Sequence, residues 1–403
     1  MKKNYIITVI SLILIALCLR APITGVGPLV TTLQADLGLS GTVAGLLTTI
    51  PLLAFAVVSF FTDRLARAFG AGRLMLIALF FIGAGILIRS FLGAVGLFVG
   101  TVVIGLGIGV NNCLIPAIVK AKYPEKMGLL TSLYTTFMAA FASLSSGISV
   151  PMMNAFNGAF ATEGTSFGWK AALLVWIILV VLAVIFWAPR TKMTLADAAP
   201  KAEVKADGPR RSIAGQAMTW YITLFMGLCS MMFYFTVAWF ATILQSQGYD
   251  AVTSGIYNMI MMLCGLPGAF VMPIIAVKTK NQKFWGAFIG FLFIIGMVSL
   301  MFAYNPVGLV VTIISLGFST GGAISYIMVL FGLHTTNAED ASSLSSFSQG
   351  IGYIMAALGP VLVGKIFDAA GNWQVPLLVL TGLSVICTVL GWLSGMNRMI
   401  ETR

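Results

Sequence analysis

A chain of 403 residues that is 59% hydrophobic and only 9% charged does not read as a soluble globular protein. Apolar runs of about 20 residues recur from end to end, and runs of that length are transmembrane helix candidates. A net charge of +11 would suggest nucleic acid in a soluble chain, but here the placement of the cations decides its meaning.

Taken in order, twelve spans are predicted. The first six cover Tyr5–Leu33, Thr42–Phe61, Leu74–Ile88, Leu97–Val119, Met127–Pro151 and Ala171–Ala188. The second six cover Ala217–Leu244, Ser254–Val277, Phe284–Ala303, Val307–Leu333, Leu344–Phe367 and Gln374–Met396. The first is too long for a cleavable signal peptide and no small-residue cleavage site follows it. Cys18, Cys113, Cys229, Cys264 and Cys387 each fall inside an apolar span without metal-ligand spacing, and His334 cannot hold a metal by itself. No cofactor and no metal is expected.

Span one carries Arg20 near its middle, in Leu19-Arg20-Ala21-Pro22-Ile23-Thr24-Gly25-Val26-Gly27-Pro28. A guanidinium at the bilayer centre costs roughly 2.5–3.5 kcal/mol on insertion scales, so it has a partner or a task. Pro22, Gly25, Gly27 and Pro28 loosen the helix, which is tolerated at that depth only where protein or water surrounds it. Two readings stand: a structural arginine satisfied by carbonyls or snorkelling, and an arginine that faces an anion.

All but four of the 23 Lys and Arg fall in segments that are cytoplasmic if the N-terminus is inside. The four are Arg20, Arg89, Lys170 and Lys365, the last three near outer helix ends. The positive-inside rule therefore places both termini in the cytoplasm of a multi-pass protein of the cell membrane, and it explains the basic charge without nucleic acid. The stretch Pro189 to Gln216, rich in Ala, Pro and charge, reads as a cytoplasmic linker. It divides residues 1–189, an N-terminal six-helix bundle, from 217–403, a C-terminal one, with 190–216 between them. Asn154–Trp169 reads as the longest outer loop. The halves repeat weakly: an offset of 211 sets Leu33-Gln34 on Leu244-Gln245 and Thr42 on Thr253, and an offset of 210 sets Leu106-Gly107 on Leu316-Gly317. At the first offset Arg20 falls on Met231, so the central charge belongs to one half.

Six plus six helices around a central linker resembles the major facilitator superfamily. Asp63-Arg64-Leu65-Ala66-Arg67, between spans two and three, is similar to that superfamily's Gly-x-x-x-Asp-Arg-x-Gly-Arg loop, with Ser59 and Ala66 in place of the two glycines. The likeness implies an all-α membrane protein of two pseudo-symmetric six-helix bundles. It also implies that Asp63, Arg64 and Arg67 belong to a cytoplasmic conformational gate; as topogenic charges alone the cations would be explained almost as well. Within the superfamily the chain resembles the cyanate and 2-nitroimidazole porter branch. The resemblance rests on the Arg20 segment, Ile88-Arg89, and Ile115-Pro116-Ala117-Ile118-Val119-Lys120. It also rests on Phe233-Tyr234, Ala238-Trp239, Thr242-Ile243-Leu244-Gln245, Gln349, Gly352-Tyr353 and Ala356-Ala357-Leu358-Gly359-Pro360.

Several polar side chains interrupt the spans. Asn111 and Asn112 follow Gly105, Gly107 and Gly109, which no strand precedes. That run is no nucleotide loop and reads as close helix packing. The asparagines bond either a substrate or a neighbouring helix, and only one of two consecutive residues faces a given side. Gln349 and Tyr353, four apart, share a face with Ser345 and Ser346 one turn before, which suggests a cavity lining. Thr24 joins Arg20 in span one, and the resemblance makes Tyr234 and Trp239 flat walls for a planar solute. Arg89 and Lys365 are placed at outer ends, where snorkelling and an electrostatic funnel serve equally well.

The twelve acids all fall in loops or at span ends, so no carboxylate stands at mid-span to relay a proton. An anion or an electron-rich polar solute is therefore expected, and the planar fork of an arginine suits either. Bringing a monovalent anion into a negative-inside cell costs roughly 2.3 kcal/mol per 100 mV, so uptake needs exchange, a proton or a steep gradient. The expectation is a secondary carrier working by alternating access, without enzymatic activity, monomeric in the bilayer, with a small molecule as its partner. The alternatives are a broad-specificity drug efflux carrier and a non-transporting receptor. Against the first, the span-five segment Ser146-Gly147-Ile148-Ser149-Val150-Pro151 lacks the antiporter Gly-Pro pattern; against the second, no signalling domain or catalytic set is present.

Overall fold

The structure is a computed structural model that describes residues 2–39, 41–160, 167–193 and 212–400. It is helical throughout these residues, and twelve helical segments are long and apolar enough to cross a membrane. An isolated bridge between Thr335 and Ile400 is the nearest approach to a strand among the described residues.

Span one is broken into α1 (Lys2–Cys18), the single turn α2 (Ala21–Thr24) and, after a 3₁₀ turn, α3 (Val30–Leu37). Spans two to five are α4 (Gly41–Phe69), α5 (Ala71–Phe91), α6 (Gly93–Lys122) and α7 (Met127–Phe160); span six is α8 (Phe167–Leu174) and α9 (Ile177–Trp187). The remaining spans are α10 (Ala217–Ser246), α11 (Ala251–Lys278), α12 (Lys283–Leu300), α13 (Pro306–Leu333), α14 (Ala338–Ala370) and α15 (Gln374–Ser394). Side chains begin several of them. Asp250 accepts the Thr253 amide at 2.9 Å, Asn305 that of Val307 at 2.8 Å, and Asn337 that of Asp340 at 2.8 Å.

Helix ends differ from the predicted spans. α4 runs on to Phe69, so Asp63 to Arg67 is its last turns and not a loop, and Gly70 at φ 81° makes the stop. α7 continues through Pro151 to Phe160, so the first part of the predicted loop at Asn154–Trp169 is helix, and α8 takes up its last three residues; Gly168 N donates to Asn157 Oδ1 at 2.8 Å. The linker residues 194–211, and with them Lys201, Lys205, Arg210 and Arg211, lie outside the described residues.

Contacts divide the chain into two compact units, Met1–Ile115 with Phe137–Leu195, and Pro116–Thr136 with Ala196–Arg403. Inside the first, glycines set the helix seams. A methyl on Gly105 would lie 2.7 Å from Ala54 Cβ, one on Gly85 2.7 Å from the Gly100 carbonyl, and one on Gly107 3.1 Å from Ile82 N. Successive glycines of the predicted packing run thus serve α4 and α5 in alternation. Inside the second unit, Gly265 meets Gly317 and Gly321 between α11 and α13, and Gly290 meets Thr388 between α12 and α15.

Candidate substrate site

Pro22 has no N–H to offer the preceding turn, and the backbone responds. Leu19 N and Arg20 N tighten onto Ala16 O and Leu17 O at 3.2 and 3.4 Å, and α2 starts afresh, with Ile23 N and Thr24 N both donating to Arg20 O at 3.0 Å. Thr24 Oγ1 donates to the same carbonyl at 3.1 Å. At the far end Val26 N bonds Ile23 O instead of Pro22 O. One turn of helix cannot hold itself, and its exposed carbonyls are taken by other spans. Ser145 Oγ of α7 donates to Ala21 O at 2.6 Å, and Gly25 faces Ser145 and Ser149 so closely that an added methyl would lie 2.7 and 2.9 Å from their hydroxyl oxygens. Beyond the break, Val26, Leu29 and Leu33 pack with Leu47, Leu97, Trp169 and Leu173, and Trp169 Nε1 donates to Asp36 at 2.8 Å. Arg20 stands at the break, partly exposed.

The third group on this turn corrects an expectation. Arg89 neither snorkels nor lines an outer funnel: it is 0% exposed, and its Nη1 donates to Pro22 O at 2.6 Å. The reason is the helix face: although two residues from the end of α5, Arg89 continues the buried stripe Met75, Ala78, Ile82 and Gly85 and so turns inward toward span one. Its Nε and Nη2 are buried with no hydrogen-bond partner among the described residues. Lys365, by contrast, is exposed.

Asn111 and Asn112 are both buried in α6. Asn111 Nδ2 returns to Gly107 O at 3.3 Å, and its Oδ1 has no partner among the described residues. Next to them Cys113 Sγ reaches Ser59 Oγ at 3.3 Å.

In the second unit Gln349 and Tyr353 are buried on α14, with Ser345 and Ser346 on the preceding turn; Gln349 Nε2 donates to Ser345 Oγ at 2.8 Å. Thr223 and Ser348 hydroxyls meet at 2.9 Å and tie α14 to α10. Tyr234 is partly exposed, edge-on to Phe233. Trp239 stands apart from the Gln349 row. Its indole N–H donates to Pro360 O at 3.1 Å and its ring packs on Trp373 at 5.3 Å, which puts it about 16 Å further along α14 than Gln349.

The sequence matches the Major Facilitator Superfamily profile over residues 12–357. The chain belongs to that superfamily. Among its relatives within the superfamily, it is 35% identical over 400 residues to the 2-nitroimidazole transporter of Escherichia coli (strain K12), covering 99% of this chain and 98% of that protein. It is 25% identical over 381 residues to the cyanate transport protein CynX of the same organism, covering 93% and 94%. The Major Facilitator fold is shared with the transporter FucP in its outward conformation, at a TM-score of 0.75 and 15% identity, over 96% of this chain and 98% of that one.

For a superfamily member the Asp63 segment has a definite geometry. Asp63 and Arg67 pair one turn apart on α4, with Arg64 exposed beside them. A basic residue that topology alone accounts for also has a specific task in the second unit. Lys120 Nζ donates to Gly332 O at 2.6 Å and Thr335 O at 2.8 Å, capping the end of α13. His334 Nδ1 contacts Arg398 O at 3.0 Å, and Ile400 N donates to His334 O at 2.7 Å. Burial and the Lys120 charge hold the His334 imidazole below its usual pKa, against a smaller opposite pull from the Arg398 carbonyl.

Ser145 and Ser149 are site residues that sequence reasoning passed over, and Arg89 is one that it placed at an outer helix end without this task. The two serines, four apart on one face of span five, carried a usable signal of the same kind as Gln349 and Tyr353. Arg89 shares the buried face of α5 with Ala78, Ile82 and Gly85, but in a span apolar all round that register does not stand out.

Proposed function

We propose that this chain is a secondary active transporter of the cytoplasmic membrane, moving a small anion or polar planar solute by alternating access with Arg20 as its anchor. The observation that supports it is the broken turn of span one, where Arg20 stands beside carbonyls already committed to Ser145 and Arg89. The described carboxylates Asp36, Asp63, Glu125, Asp250, Glu339, Asp340 and Asp368 lie in loops or within the first or last turns of their helices. A cationic solute would meet the Arg20 guanidinium, with the buried Arg89 charge behind the same turn, and is disfavoured. The names of the two relatives, one a 2-nitroimidazole carrier and the other a cyanate carrier, agree with a planar or anionic solute.

In this reading Thr24, Asn111 and Asn112 of the first half and Tyr234, Gln349 and Tyr353 of the second add neutral polar contacts. Trp239 then supports α14 from its seam with α10 and α15. Asp63, Arg64 and Arg67 act at the cytoplasmic gate. Twelve crossings would leave both termini on one side, and the cation distribution supports the cytoplasm as that side. Counterflow of 2-nitroimidazole and cyanate in proteoliposomes tests the reading. Uptake is expected to fall sharply in Arg20→Ala and partly in Arg20→Lys, and unchanged transport in both removes Arg20 as the anchor.

A further inference from the structure

Arg89 is held at a cost that its own packing does not explain. It is a fully buried cation with a single hydrogen bond in the described structure, to the Pro22 carbonyl at 2.6 Å, while Nε and Nη2 have no partner there. Buried polar groups are as a rule hydrogen-bonded, and a buried cation with two bare donors calls for an explanation. Its one bond falls on a particular atom. Pro22 O is the carbonyl that the break in span one releases, because Val26 N turns to Ile23 O. The neighbouring carbonyl, Ala21 O, accepts Gly25 N at 3.3 Å and Ser145 Oγ at 2.6 Å. The one-turn helix that follows Arg20 is thus held from two other spans, α5 through Arg89 and α7 through Ser145.

We propose that Arg89 is a positioning residue for the substrate anchor: by capping Pro22 O it fixes the broken turn, and so the direction in which Arg20 presents its guanidinium. The inference rests on the reading of Arg20 as the anchor. A carbonyl left bare at this depth would draw Val26 N back, lengthen α2 at its far end and tilt the turn at whose N-cap Arg20 stands, while the break at Pro22 remains. A lysine at position 89 keeps one charged donor with enough reach for a single carbonyl. It loses the planar fork, which a capping role does not use.

The test is counterflow of 2-nitroimidazole and cyanate in proteoliposomes, with KM and maximal rate measured for Arg89→Lys and Arg89→Met. Each is made alone and in the Arg20→Lys background, which keeps a charge and a measurable flux. Arg89→Met alone is expected to raise KM about tenfold with the maximal rate within threefold, and Arg89→Lys to restore KM to within about threefold. In the Arg20→Lys background the Arg89→Met effect should shrink to less than about twofold, because there is no correctly held guanidinium left to misplace. An equal rise in KM in both backgrounds overturns the proposal and makes Arg89 a direct ligand. So does failure of lysine to rescue, or a fall in rate with KM unchanged. If Arg89→Met does not yield monodisperse protein, Ser145→Ala takes its place, with a threefold rise in KM expected alone and none beside Arg20→Lys; an equal rise in both again overturns it. Should Arg20→Ala and Arg20→Lys leave transport intact, the anchor reading falls first and this inference with it. If Arg20 proves essential while the Arg89 variants behave as wild type, only this inference falls.

Discussion

The seam between spans one and five in the first unit and that between spans seven and eleven in the second occupy corresponding places in two weakly repeated halves, yet they are built differently. Arg20 corresponds to Met231 at the offset of 211. Where span one breaks, α10 runs unbroken from Ala217 to Ser246. Where Ser145 and Ser149 offer hydroxyls to the broken turn, α14 offers Gly359 and Gly364, notches that receive the side chains of Met231 and Trp239. Met355 in turn seats on Gly227. One seam satisfies backbone carbonyls with polar side chains. The other closes mainly with apolar side chains over bare backbone, its polar links being the Thr223–Ser348 hydroxyl pair and the Trp239 bond to Pro360 O. A duplicated scaffold can therefore hold charge recognition in one half and leave the other to close tightly.

Reversing the chemistry of either seam should break the contrast, with the largest effect where charge is involved. Arg20→Ala is expected to lower kcat/KM for proteoliposome uptake about 100-fold, the loss of roughly 3 kcal/mol of charge-assisted hydrogen bonding. Met231→Arg places a cation in the apolar seam with no break to receive it. It should cost roughly 3 kcal/mol of stability, read as a lower melting temperature of the purified protein, without creating a second binding site. Equivalent methyl additions sharpen the comparison. In Gly25→Ala the new carbon meets two hydroxyls already engaged, so transport should fall about tenfold; in Gly359→Ala a flexible methionine can move aside, at a cost of about 1 kcal/mol of stability and little transport.

A smaller effect separates the units by pH. Burial holds His334 below its usual pKa, so between that depressed value and about 6.5 the unfolded chain binds a proton that the folded one does not. Stability from this group is complete above pH 6.5. It is lost as pH falls through the window, at up to about 1.4 kcal/mol per pH unit. Melting temperatures between pH 5 and 8 should show this slope, and His334→Gln should flatten it while the first unit's Asp63–Arg67 pair stays unaffected. Smallest of all, Arg67→Gln removes an i,i+4 pair with one exposed partner, and a stability change of at most about 0.5 kcal/mol is expected.

The twelve spans were legible because hydropathy measures what crosses oil. Where helices end was not, since α4 and α7 carry polar turns past the apolar stretch and capping has little to do with hydropathy. The role of Gly105, Gly107 and Gly109 could be read from spacing alone, because glycine at close seams leaves a periodic trace. The break in span one was legible from Pro22 and Gly25. What holds it was not: a hydrogen bond from Arg89 across 67 residues of chain leaves no local pattern, and a cation two residues from a helix end looks the same whether it turns outward or in.

The docked tail has a practical consequence. Ile400 is fully buried, with its amide on the His334 carbonyl, so a label inserted directly behind Ile400 begins close to an anchorage point on α13. A fluorescent reporter or affinity tag there would tug on the same helix end that Lys120 caps. Labels for purification or imaging of this carrier are better placed away from that segment.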